Sequence, residues 1–334
     1  MLQFRNLTGL GGTTFVAPDP DGVDSLYAVV KGTFDVATGQ PAEMQLPIVV
    51  AAEHYGDPAA TSIRAPSDIS LMKPATDVLL VGSAHAPGGR PVAYVDVSLR
   101  AGPVARTVRA FGDRYWASSG AGVTVTAPEP FQVMPLVWER AFGGVEVVGE
   151  KVDGEARNPV GTGFRSADSA APLHGLKLPN VEDPYDPITS WKQRPQPAGF
   201  APLAAHWEPR RSYAGTYDTA WQQQRAPYLP KDFDPRFFQL APPGLVCPGF
   251  LQGGETVEAW NATPSGYLAC RLPAFRVRVT YVLDGRSEAR AGQLDTVLLE
   301  PDAGRLVVVW RTVLPCDKTL LRIREVVAER VGTA

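Results

Sequence analysis

Asp24-Ser-Leu-Tyr-Ala-Val-Val-Lys-Gly-Thr-Phe-Asp-Val36 is rich in β-branched and aromatic residues, and Asp19-Pro-Asp-Gly22 precedes it. Such a run behind a turn signal reads as a strand. The same grammar recurs outward from it. Val95, Val97 and Leu99 alternate with Asp96 and Ser98, the period of a half-buried strand, and Val104–Phe111 follows as a hairpin partner. Phe275, Val277, Val279 and Tyr281 alternate with Arg276, Arg278 and Thr280. Leu294–Glu300 and Arg305–Arg311 flank Pro301-Asp-Ala-Gly304, a four-residue hairpin loop. Shorter strands are expected over Leu46–Ala52 and within Ser67–Ser83, and a closing strand is expected from Leu321. No 20–50-residue repeat is evident and amphipathic helices are nearly absent.

Between residues 171 and 250 lie fourteen of the 32 prolines, among Trp191, Trp207, Trp221 and several Tyr and Phe. Disordered proline-rich linkers are poor in aromatics, so this stretch reads as ordered loops laid over the sheets. Thr219–Arg225 is expected as a short helix stopped before Pro227. The fold class is therefore mainly β, with one or two antiparallel β-sandwich-like regions and a long Pro/aromatic-rich loop segment between them. The divisions fall at 1–145, 146–244 and 245–334, or all three form one compact domain.

A net charge of −3 with scattered signs argues against a nucleic-acid partner. Cys247, Cys270 and Cys316 are odd in number and far apart, with no Cys-x-x-Cys pair, which suits a reducing compartment. The N-terminus lacks the form of a signal peptide, and no apolar run reaches membrane-spanning length. A cytoplasmic protein with no membrane partner is expected.

Phe111–Gly163 concentrates aromatics, prolines, glycines and a few charges. Here Asp113, Arg114, Glu139 and Arg140 are expected to tie irregular loops through charge-assisted hydrogen bonds, beside Trp116. Gly143 and Gly144 would allow a tight turn or a close backbone approach. His54, His85, His174 and His206 lack metal-ligand spacing, and there is no phosphate loop or Gly-x-Ser-x-Gly elbow. No metal, cofactor or catalytic residue is assigned. An alternative reading, a carbohydrate-active hydrolase, would draw a carboxylate pair from Asp113, Glu139, Glu182, Asp183 and Glu255 in an aromatic cleft.

A set of motifs spans nearly the whole chain. It runs Lys31-Gly-Thr-Phe34, Lys73-Pro-Ala-Thr-Asp77, Phe111-Gly-Asp-Arg114 with Trp116, Glu139-Arg-Ala-Phe-Gly-Gly144 and Asn158-Pro159. It continues through Leu178-Pro-Asn180 with Glu182, Pro197-Ala-Gly-Phe200, Trp207, Arg210, Gly215-Thr-Tyr-Asp218, Trp221 and Asp232-Phe-Asp234. In that order the motifs resemble the family of uncharacterised-domain proteins encoded beside type VI secretion spike and effector genes, which act as effector adaptors or chaperones. The resemblance implies a non-enzymatic cytoplasmic protein that binds a secreted toxic effector and promotes its loading onto a spike protein of the valine-glycine-repeat type. It carries no catalytic residues to transfer. Trp207, Arg210, Tyr217, Trp221 and Phe233 are the expected partner-binding residues, because Trp, Tyr and Arg dominate binding hot spots.

Overall fold

The computed structural model describes residues 2–119 and 122–332. Asp24–Asp35 forms a central strand, buried from Ser25 to Phe34. It pairs with Gly11–Pro18 on one side and, over eleven positions, with Arg305–Pro315 on the other. Gln293–Glu300 and then Asp77–Leu80 complete this five-stranded sheet. Leu26, Ala28 and Val30 face the main core. On the opposite side Lys31 and Thr33 meet residues 45–68.

A second five-stranded sheet runs Val181–Glu182, Val104–Phe111, Tyr94–Ala101, Thr256–Trp260, Tyr267–Arg271. Val95, Val97 and Leu99 are buried, as their alternation requires, and the turn between Ala101 and Val104 holds only Gly102 and Pro103. A four-stranded sheet joins Gln3–Asn6, Ile323–Val331, Arg276–Leu283 and Arg286–Ala291. Pairing is antiparallel in these three sheets except where Asp77–Leu80 meets Gln293–Glu300 and where Gln3–Asn6 meets Ile323–Val331. All three contribute to one apolar cluster, through Val30, Leu99 and Val279 among others. The fold is thus mainly β, as the periodicity indicates. Both five-stranded sheets draw strands from residues before 145 and after 245.

Two expected strands differ. Leu46–Ala52 forms none: Pro47 has no N–H, and the Val49 N–H donates to Asp68 Oδ2 rather than to a neighbouring strand. The closing strand starts at Ile323, and Leu321 lies in a 3₁₀ turn, 89% exposed. Over Ser67–Ser83 only Asp77–Leu80 forms a strand, with Ser83–His85 beginning a second.

The segment leading into Asp77–Leu80 is held by buried charges. Lys73 Nζ lies 2.8 Å from Asp77 Oδ2 and 2.7 Å from Thr296 Oγ1. Arg311 Nε donates to Asp295 Oδ2 at 2.6 Å, and its Nη atoms reach the Asp68 and Ser70 carbonyls. Lys31 Nζ donates to Asp68 Oδ2 at 2.8 Å. Three cations face three carboxylates, all six buried. Charges so placed are tolerated only when paired and hydrogen-bonded.

Residues 171–250 form ordered turns with one α-helix, Thr219–Gln224, capped by Asp218 and followed by Pro227. No helix among the described residues is long and apolar enough to cross a membrane.

Candidate binding pocket

The loop-tying residues expected within 113–144 do form ties, but not within their own pairs. Asp113 pairs with Lys177 at 2.8 Å and accepts from Asn180 Nδ2 at 2.8 Å. Arg114 stacks over Phe111, donates to the Pro179 carbonyl and pairs with buried Glu182. Arg140 donates to Asn180 Oδ1 at 3.0 Å, while Glu139 accepts from the Ser62 amide and hydroxyl. Three of the four thus converge on residues 177–182, whose backbone also meets Arg114 and Arg140. Trp116 is buried with Phe142, Leu178 and Ile188. Gly143 and Gly144 have φ of 152° and 113°, and the Gly144 N–H donates to the Asn158 carbonyl at 2.9 Å. This is the close approach that only glycine permits.

The remaining candidate carboxylates are local acceptors. Asp183 Oδ1 takes the Tyr185 N–H, and Glu255 takes the N–H groups of Gln252 and Gly253. Among the described residues no group of three His, Cys, Asp or Glu side chains could hold a metal ion.

The five expected partner-binding residues separate in space and burial. Trp207 is wholly buried, edge-on to Trp138 with ring centroids 6.3 Å apart, so it belongs to the core and presents no contact surface. A tryptophan in a loop-rich stretch is as well suited to anchoring the loop as to meeting a partner. Tyr217 is 52% exposed and packs edge-on against Trp221 at 4.7 Å. Trp221 is itself fixed by an indole hydrogen bond to the Tyr228 carbonyl at 2.8 Å. Phe233 joins Phe237 and Phe238 in a half-buried aromatic cluster.

Arg210 is buried, yet it lines an open pocket of about 360 Å³. The walls come from three stretches: Pro74 and Ala75, then Leu203 and Pro209 with Tyr213, then Gln239, Ala241, Pro243 and Val246. Arg210 Nε donates to the Phe237 carbonyl at 2.9 Å and Nη1 to the Leu203 carbonyl at 2.5 Å. No carboxylate of the described residues pairs with it. Burial pulls its pKa down to about 10, against a smaller opposing pull from Asp77. Arg236, at the rim, is already paired with Asp234 at 2.5 Å. Gln239 Oε1 is buried without a donor, while its amide nitrogen serves Ala75 and Asp77.

A second cavity, of about 370 Å³, lies between the central sheet and residues 46–68. Its charges neutralise one another: Lys31 with Asp68, Arg64 with Glu53, Arg305 with Glu300. Of these two cavities, the Arg210 pocket is the one with a cation left over. Of its lining residues only Arg210 is legible beforehand, because the others, mostly prolines and aliphatics with Tyr213, Arg236 and Gln239, come from distant stretches that only the fold assembles.

The family model described as "Uncharacterized protein conserved in bacteria (DUF2169)" matches residues 21–311. No curated protein and no solved structure matches the chain.

Proposed function

From the premise that the chain belongs to the DUF2169 family, we propose that it is a protein-binding adaptor, one that holds a type VI secretion toxic effector and passes it to a spike protein of the valine-glycine-repeat type. The observation that carries this reading is the apolar pocket around Arg210, set in a loop segment that also exposes Tyr217, packed against a half-buried Trp221. Rigid aromatics beside an apolar pocket and an arginine with bonding capacity to spare have the composition of binding hot spots. The segment is fixed before any partner arrives. Asp218 caps the helix, Asp232 accepts from the Thr216 amide and hydroxyl, and Arg225 donates to the Leu229 carbonyl. Such preorganisation lowers the ordering cost of association.

The test is co-expression with the neighbouring effector and spike genes followed by affinity capture at moderate salt. Co-purification of either protein with this chain is the expected result. Capture of neither at concentrations where both are soluble overturns the reading. Within that assay, Tyr217→Ala is expected to leave stability within about 1 kcal/mol of the parent, since the side chain is half exposed. It should weaken effector binding by about 2 kcal/mol, roughly thirtyfold, as loss of an aromatic hot spot does. Unchanged affinity, measured by titration calorimetry, removes this residue from the contact surface.

A further inference from the structure

We infer that the Arg210 pocket is a socket for the C-terminal carboxylate of a partner protein whose last residue is apolar. The inference deepens the adaptor reading and rests on it for the identity of the partner. The cation comes first. Arg210 commits Nε and Nη1 to the Phe237 and Leu203 carbonyls, while Nη2 has no acceptor among the described residues. The buried guanidinium is held by two neutral carbonyls and lies over the Phe237 ring at 5.4 Å, with no carboxylate bonded to it, and an incoming anion would supply that missing partner.

The walls then select the rest of the ligand. Pro74, Pro209 and Pro243 offer no N–H, so a strand passing through would meet few main-chain donors for a ladder. Its own peptide groups would be desolvated without partners. A chain end avoids this, because it carries its charge and its apolar side chain on the same carbon. The peptide N–H next to that carboxylate is a donor, and the orphaned acceptor in the wall is Gln239 Oε1. A volume of about 360 Å³ is at the small end of ligand sites, which suits one or two residues rather than an extended segment.

The experiment uses the full chain and hexapeptides Gly-Ser-Gly-Ser-Ala-Xaa, with Leu, Ile or Phe last, each as free acid and as C-terminal amide. Binding is read by calorimetry and by heteronuclear NMR shifts. The free acids are expected to bind more tightly than the amides by on the order of tenfold to a hundredfold, the worth of one charge-assisted hydrogen bond to a buried cation. Val246→Trp, which fills the pocket without touching a polar contact, should abolish binding while leaving the melting curve cooperative. Arg210→Lys, which keeps the charge but loses the planar fork, should weaken the acids and leave the amides unchanged. Equal affinity of acid and amide, absence of binding by both, or binding that survives V246W each overturns the assignment. If 4-phenylbutyrate binds as tightly as the peptides, the site belongs to a small acid and the chain-end assignment falls. Effector capture by both wild type and V246W would sink the socket and leave the adaptor standing. Peptide binding without effector capture would do the reverse.

Discussion

Asp77→Ala is expected to destabilise the protein by about 3–5 kcal/mol, the usual consequence of stripping one partner from a buried ion pair. Against a total stability of about 5–15 kcal/mol, that places the variant near the limit of folding. Asp77 accepts four hydrogen bonds: from Lys73 Nζ, Gln239 Nε2 and the backbone N–H groups of Leu240 and Ala241. Its removal takes the close counter-charge from the buried Lys73 ammonium, which keeps Thr296 Oγ1, leaves Gln239 Nε2 with the Ala75 carbonyl alone, and leaves the Leu240 and Ala241 N–H groups without an acceptor. It also unties residues 239–241, which form one wall of the Arg210 pocket, so loss of peptide binding should accompany the loss of stability. The double variant Lys73→Met with Asp77→Leu should recover part of the deficit, because it removes both charges together. Urea unfolding measures all three. An Asp77→Ala midpoint within error of wild type would show that these bonds contribute nothing net. Acid should probe the same network. Burial raises the Asp295 carboxyl, but Arg311 and Lys73 more than reverse this, so it stays below its ordinary value. Its contribution is therefore full above the unfolded value of about 3.9 and is lost as pH falls through the lower folded value. The melting temperature should fall as pH drops below about 4, and Arg311→Met should remove much of that slope.

Gly143→Ala is expected to be a strongly damaging single-methyl addition in the segment between Phe111 and Gly163. A Cβ there would lie 2.0 Å from the Asn158 carbonyl oxygen and 2.9 Å from the Asn158 Cβ, and φ is 152°. The backbone strain costs about 1–3 kcal/mol, and displacing the packed neighbour costs about 1–3 kcal/mol more. The neighbour cannot yield cheaply. Asn158 donates through Nδ2 to the Trp138 and Phe142 carbonyls and accepts the Gly144 N–H, so moving it breaks three bonds. Gly39→Ala is the control, with φ of 69° and open space around the site. It should show the strain without the clash. Equal unfolding midpoints for the two variants would remove the close approach as the reason for glycine at 143.

The β-architecture is legible in the sequence because period-2 alternation is local. Val95, Val97 and Leu99, or Val277, Val279 and Tyr281, announce which face is buried before any partner strand is known. The short helix is legible for the same reason, since Asp218 and Pro227 bracket it. Leu46–Ala52 misleads because its apolar residues resemble a strand, while the donors and acceptors that prevent one belong to Thr33 and Asp68, distant in sequence. The site divides similarly. Residue type marks Trp207 and Arg210 alike. Only packing shows that the indole is sealed against Trp138 and that the guanidinium faces a pocket without a carboxylate.

By itself, then, the sequence determined a mainly β chain, an ordered proline- and aromatic-rich segment, and the positions where glycine and charge had to serve geometry. These are properties of neighbours along the chain, where backbone angles and alternation act. Tertiary structure alone decided that Arg311 and the Lys73–Asp77 pair meet Asp295 inside the protein, so that two cations balance two carboxylates, and that three distant stretches enclose Arg210. Charge compensation and enclosure depend on distances between residues more than a hundred positions apart, and folding sets those distances.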